Sequence, residues 1–217
     1  MADRSAAPGF YGKAPDFGDF LTRHLPPAFV TGWDAWLRQL MQAAHEQLAG
    51  NWPDGWLAAP VWHFGLGAGV LSAAPAWGVL IPSLDKVGRH FPFTIVGHTT
   101  VDGAPLRDWA LGAESLALGV LEDGFSPAAL EQQLAELGAP EARAPGQGPT
   151  HQDLPEDPGD WPDLVAQAAG PLAGRSLWWC RGAGPVAPHI MRCSGLPAAG
   201  MAGARVAGVV RKEGAFF

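Results

Sequence analysis

From Gly55 to Leu84 the chain carries no Asp, Glu, Lys or Arg. A stretch of that length without charge has to be shielded from water, and only two kinds of structure shield it. One is a membrane-crossing helix, which needs about 20 apolar residues. The other is a pair of strands buried on both faces. Pro60, Pro75 and Pro82 interrupt the stretch, as do Gly65, Gly67, Gly69 and Gly78. Proline removes a backbone donor and breaks a helix interior. The segment therefore reads as two buried strands joined by a loop.

The rest of the composition agrees with a packed domain. A chain of 217 residues suits a single domain over 1–217, and a domain of this size buries roughly 70% of its unfolded surface without needing a disulfide or metal. Charged residues make up 16% and the net charge is −7. That balance gives no electrostatic footprint for nucleic acid and no Lys/Arg cluster for an anionic membrane. Cys180 and Cys193 form no CxxC pair, and Met1 to Phe10 lacks the apolar core of a signal peptide. A reducing, cytoplasmic setting without membrane insertion is expected.

Periodicity outlines the elements. Phe29, Val30, Trp33, Trp36, Leu37, Leu40, Met41, Ala44 and Leu48 recur at helical spacing and make one apolar stripe. Thr31 with Asp34 is the expected cap and Gly50 the stop. Strands are expected at 9–14, 60–66, 77–82, 91–99, 177–180 and 189–193. A second helix fits 106–121. Ser126-Pro127 opens a third, which ends at Gly138. A brief helix is expected after Trp161-Pro162, to about Ala169. Residues 139–160 hold five prolines and three glycines and read as a flexible insertion, and 198–217 as a loose tail. The order of elements predicts an α/β fold, a central mixed sheet packed between helices, with α+β as the alternative.

Enzyme motifs fail one by one. Gly65-Leu66-Gly67-Ala68-Gly69 lacks the third glycine of GxGxxG, and His45-Glu46 is followed by Ala49 where HExxH needs histidine. No serine sits in GxSxG. The seven histidines show no metal-ligand spacing, and nothing calls for a cofactor. Two loop clusters remain. In 12–23, Lys13, Asp16, Asp19 and Arg23 put four charges among turn-forming glycines. In 82–89, Ser83, Asp85 and Arg89 follow a strand. These residues suit either a partner-binding surface or a structural Asp–Arg pair with a Ser/Asp turn. No catalytic residue is assigned.

The same residues resemble a known family. Gly12-Lys13-Ala14-Pro15-Asp16-Phe17-Gly18-Asp19-Phe20 is similar to the GKLPxxGDF opening of the TagF/ImpM family, and Trp33-Asp34-Ala35-Trp36-Leu37 to its WDxWL. Pro60-Val61-Trp62-His63-Phe64 resembles aPvWrF. Pro82 to Phe93 resembles PSvDrvGRxFPL. Ser176-Leu177-Trp178-Trp179 and Gly195-Leu196-Pro197 resemble SxWW and gLP. The motifs occur in family order over residues 9–197.

The resemblance implies an α/β sandwich and a cytoplasmic, non-enzymatic repressor of type VI secretion. It implies action after translation on assembly or firing, through the forkhead-associated (FHA) domain protein of the same system. Two other readings stay open: an anion-binding or hydrolytic enzyme using Ser83, Asp85 and Arg89 with Lys13 as a clamp, and a structural accessory of the apparatus.

Overall fold

The computed structural model describes residues 7–48, 52–100, 104–105, 107–143, 151–153, 165, 171–184 and 186–206. Among these, the uncharged stretch supplies β3 (Trp62–Leu66) and β4 (Ala76–Ile81). They form an antiparallel hairpin pairing Trp62 with Leu80 and Leu66 with Ala76. Every residue of both strands is buried, so the absence of charge follows from their place at the centre of a sheet.

That sheet has eight strands in the order β2-β1-β5-β4-β3-β9-β10-β8. The remaining members are β1 (Gly9–Gly12), β2 (Leu21–Arg23), β5 (Phe93–His98), β8 (His151–Asp153), β9 (Arg175–Cys180) and β10 (His189–Ser194). A two-residue ribbon pairs β6 (Ala104–Pro105) with β7 (Ala142–Arg143). The α/β architecture expected from the element order is present, a central sheet packed between helices. Its ladders do not mix senses, however; all run antiparallel. The physical reason is connectivity: β1–β2, β3–β4 and β9–β10 are adjacent in sequence and close as hairpins, which antiparallel pairing allows.

Strand alternation divides the core in two. On one face, Tyr11, Trp62, Phe64, Leu80 and Trp178 pack with α1 (Pro27–Leu48), α2 (Trp52–Leu57) and α5 (Ala199–Val206). On the other, Phe10, Trp77, Val79, Ile95 and Trp179 pack with α3 (Arg107–Gly119) and α4 (Pro127–Leu137). Burying one such large side chain stabilises by about 1.5–3 kcal/mol. The stripe of α1 buries Phe29, Trp33, Trp36, Leu37, Leu40 and Ala44. Trp33 stacks on Trp36 at 4.9 Å and faces Phe64 at 4.8 Å. These tryptophans fill the core, as their helical spacing predicts.

Several local expectations change. Helix α1 begins at Pro27, so Thr31 lies inside its first turns and its hydroxyl donates back to the Pro27 carbonyl at 3.0 Å. Asp34 accepts from Tyr11 and Arg38 instead of capping. The cap at Ser126 is present, with its Oγ accepting from the Ala129 N–H, and Gly138 ends α4. Residues 199–206 of the expected loose tail form α5, because Gly203 lets it approach α1 closely; a Cβ there would lie 2.8 Å from the Ala44 nitrogen. Residues 207–217, most of 139–160 and nearly all of the helix expected to follow Trp161 lie outside the described residues.

Two interlocked loops as the candidate functional site

Strands β1 and β5 are neighbours, so the loop leaving β1 and the loop entering β5 emerge side by side. Gly12 makes the exit possible. Its φ is +145° and a Cβ would lie 2.2 Å from the Pro92 carbonyl oxygen, a conformation and an approach that favour glycine. The backbone N–H of Lys13 donates to Pro92 O at 3.3 Å. Its side chain then turns inward rather than toward solvent and is 8% exposed.

There Lys13 Nζ meets Asp85 Oδ2 at 2.6 Å, with Asp85 fully buried. Arg89 Nε donates to the same oxygen at 2.7 Å. The backbone N–H groups of Val87 and Arg89 donate to Oδ1 at 3.1 and 2.9 Å. Burial works to raise the Asp85 carboxyl, but the Lys13 and Arg89 hydrogen bonds and the two backbone donors outweigh it and hold the group well below the usual carboxylate range. A buried charge held this way is an organiser of its loop.

Ser83 belongs to the same lock. Its Oγ donates to the Lys13 carbonyl at 2.8 Å, while its own carbonyl accepts from Trp56 Nε1 at 2.9 Å and from the Phe91 N–H at 3.0 Å. Two further bonds close the loops together: Lys86 N–H to Phe17 O at 3.0 Å and the Arg89 guanidinium to Gly18 O at 2.9 Å. Phe20 lies over Lys13, with Nζ 5.2 Å from the ring centre, and packs on Tyr11 and Phe91. Helix α2, which sequence periodicity does not reveal, supports the lock through Trp56 and through Trp52, whose Nε1 donates to His90 Nδ1 at 3.1 Å.

The residues singled out in sequence therefore separate into two sets. Lys13, Ser83 and Asp85 are buried within the lock. Asp16 and Asp19 are exposed on its outside, together with Lys86, Val87 and the partly free Arg89. Val87 is 71% exposed. Arg23 is not part of the cluster. It sits on β2, 3.8 Å from Glu131 of α4, beside His24, which binds Glu131 at 2.7 Å. As for hydrolysis, Ser83 Oγ is inaccessible and its proton is committed to the Lys13 carbonyl, so it has neither a path to an ester nor a base.

A second polar cluster lies on the opposite face of the sheet and was not singled out in sequence. His63 of β3 binds Glu114 of α3 at 2.8 Å, and Arg181, just past β9, donates to the other Glu114 oxygen. The His63 ring stacks on Trp179 at 5.0 Å. Burial works to raise the Glu114 carboxyl, yet His63 and Arg181 together lower it. The only sequence signal was a glutamate within the apolar face of α3, between Ala113 and Ala117. Among the described residues, three or more His, Cys, Asp or Glu side chains nowhere come together as a metal site would require. No helix there is long and apolar enough to cross a membrane.

Comparison with known proteins places this geometry. The N-terminal domain of TagF, described as type VI secretion system-associated, matches residues 9–137, a span that includes both interlocked loops. The fold resembles that of PA0076 from Pseudomonas aeruginosa PAO1, known from a crystal structure. The two share 34% sequence identity over 97% of this chain and 98% of that one, with a TM-score of 0.77. No curated protein matches. With its first strands, its lock and its whole fold accounted for in this way, the chain belongs to the TagF family of type VI secretion system-associated proteins.

Proposed function

We propose that this protein is a cytoplasmic repressor of type VI secretion that acts after translation by binding a protein component, with the FHA-domain protein of the system as its partner. The contact surface is the outside of the interlocked loops: Asp16, Asp19, Val87 and Arg89. The observation that carries this reading is the division of labour in the two loops. Lys13, Ser83 and Asp85 spend their polar atoms on each other and on backbone, and this fixes a tip on which charged groups and one exposed valine face solvent. Side chains held on a rigid support lose less entropy on binding. Family membership supports a role in type VI secretion, and the geometry supports binding rather than turnover by Ser83.

The test is co-purification from secretion-active cells, comparing wild type with an Asp16→Lys/Asp19→Lys pair and with Val87→Asp. The expected result is loss of the FHA-domain protein and release of secretion, with unchanged thermal midpoints. Full recovery of the partner and unchanged repression in both variants would remove the tip as the contact surface.

A further inference from the structure

Helix α2 is tied to the loop between β4 and β5 by two indole N–H groups. Trp56 Nε1 donates to the Ser83 carbonyl at 2.9 Å, and Trp52 Nε1 donates to His90 Nδ1 at 3.1 Å. Ser83 and His90 stand on the two sides of the loop's neck. Leu84 bridges to His90, and the Phe91 N–H donates to the Ser83 carbonyl at 3.0 Å. The two indoles stack with ring centres 5.6 Å apart. The helix therefore meets the neck as one aromatic unit with two polar ties.

The ties differ in their acceptors. A backbone carbonyl takes up no proton near neutral pH. An imidazole accepts only at its unprotonated nitrogen, and an indole N–H only donates. Trp52 therefore selects the neutral His90 tautomer with hydrogen on Nε2 and the lone pair on Nδ1. A proton added to His90 goes to Nδ1, the nitrogen with the free lone pair, and leaves two N–H groups facing each other. The indole meets this ring at 84° with its N–H edge. An aromatic edge is the positive side of the ring quadrupole, so no cation–π attraction offsets the loss.

The surroundings set the direction. Burial holds His90 below the ordinary imidazole range, and the Asp85 carboxylate offsets only part of this. Asp85, bound by Lys13 and Arg89, stays ionised wherever an imidazole titrates, so its field on His90 is constant. Other charge-bearing groups on the elements that meet here are Lys86 on the same loop, Asp54 on α2, and His45 and Glu46 on α1. The His45 ring lies 4.9 Å from that of Trp52 and is a second imidazole to control for. A base that is harder to protonate in the closed contact favours closure above its open-state value, about 6.5. That preference is lost as pH falls below it.

We propose that His90 is a proton-operated latch: protonation at Nδ1 breaks its contact with Trp52 and frees the first turn of α2 from the loop neck, while Trp56 stays on Ser83. The latch acts on the support of the loop that carries Val87 and Arg89, whatever that loop binds.

The experiment records ¹H–¹⁵N spectra of the full chain, with the histidine ring signals, from about pH 8 to about pH 5. The Trp52 indole N–H, assigned through Trp52→Phe, is expected to move upfield in step with the His90 ring signal. The Trp56 indole N–H is expected to hold its position. His90→Gln keeps an uncharged acceptor in its side-chain carbonyl and is expected to abolish the Trp52 transition, whereas His45→Gln is expected to preserve it. Circular dichroism at each pH establishes that the chain stays folded.

A Trp52 signal that stays fixed while His90 titrates overturns the proposal, and this comparison needs only the wild-type chain. The same transition in His90→Gln, or its loss in His45→Gln, would assign the proton elsewhere and overturn it too. Movement of Trp56 together with Trp52 would mean that the whole neck opens rather than one tie. None of these readouts involves a partner protein, so this proposal and that for the loop tip fail separately.

Discussion

Lys13 and Asp85 stand 72 positions apart in sequence, yet their charged atoms are 2.6 Å apart and buried. The pairing of Gly12 with Phe93 between β1 and β5 brings the two loops that carry them together. The contact therefore ties the most characteristic motifs of the chain to the register of the sheet.

Removing one member of this pair leaves the other as a buried charge. Asp85→Ala is expected to lower stability by about 3–5 kcal/mol, and Lys13→Ala to act in the same direction. Asp16→Ala, on the exposed side of the same loop, is expected to stay within about 0.5 kcal/mol of wild type. Urea unfolding followed by tryptophan fluorescence separates the two classes. Equal midpoints for Asp85→Ala and wild type would refute the organising role of the lock.

The pH dependence follows from two carboxyls that ionise more readily in the folded state, Asp85 and Glu114. Their contribution is fully present above the unfolded values, about 3.9 and 4.3, and is lost as pH falls through the lower folded values. Thermal midpoints are therefore expected to hold at neutral pH and drop below about pH 4. Asp85→Asn should begin lower at pH 7 and decline less steeply. A parallel decline in both proteins would assign the acid sensitivity elsewhere.

Two glycines make a matched comparison. At Gly67 a Cβ would fall 1.6 Å from the Leu172 carbonyl oxygen, whereas at Gly119 it would meet open space. Gly67→Ala is expected to destabilise by about 1–3 kcal/mol or more through overpacking. Gly119→Ala should be neutral within about 0.5 kcal/mol. Differential scanning calorimetry on the two variants gives the comparison directly.

For the second polar cluster, Glu114→Ala removes the acceptor shared by His63 and Arg181. The buried imidazole then loses its partner, at a cost of about 1–3 kcal/mol. The Arg181 side chain is half exposed, and a pair with one solvated member contributes about 0–1 kcal/mol. Arg181→Ala should therefore be the milder change. The reverse order in chemical denaturation would show that Arg181, not His63, is the main partner of the Glu114 carboxylate.

Much of this architecture was legible in residue order. The uncharged stretch announced β3 and β4, the three- and four-residue spacing announced α1, and Ser126 with Gly138 bracketed α4. All three are local signals. Strand sense was not local. It depends on which strands become neighbours, and an antiparallel hairpin and a parallel crossover can bury the same residues. Helix α2 escaped because its six residues, including Pro53 and Gly55, are too short for a period. Residues 199–206 read as loose because alanine and glycine carry little hydrophobic signal, yet those small side chains are what let α5 lie close on α1.

The loops were legible as a cluster and not as a division of roles. Sequence gives Lys13 and Asp16 similar standing, three residues apart. The sharp exit at Gly12 sends one inward and leaves the other in water. Glu114 escaped notice for the opposite reason, since a single charge in an apolar helical face declares its burial only once its partners on β3 and after β9 are in place.

Trp178 and Trp179 are adjacent on β9 and point to opposite faces, one against Trp33 and Trp36, the other against Trp77 and His63. A one-residue insertion or deletion within that strand would exchange them, forcing each indole into a cavity shaped for the other. Related chains should therefore diverge in length between strands while the spacing inside β9 stays invariant. The paired tryptophans act as a reading frame for the fold, fixing both helical layers at once.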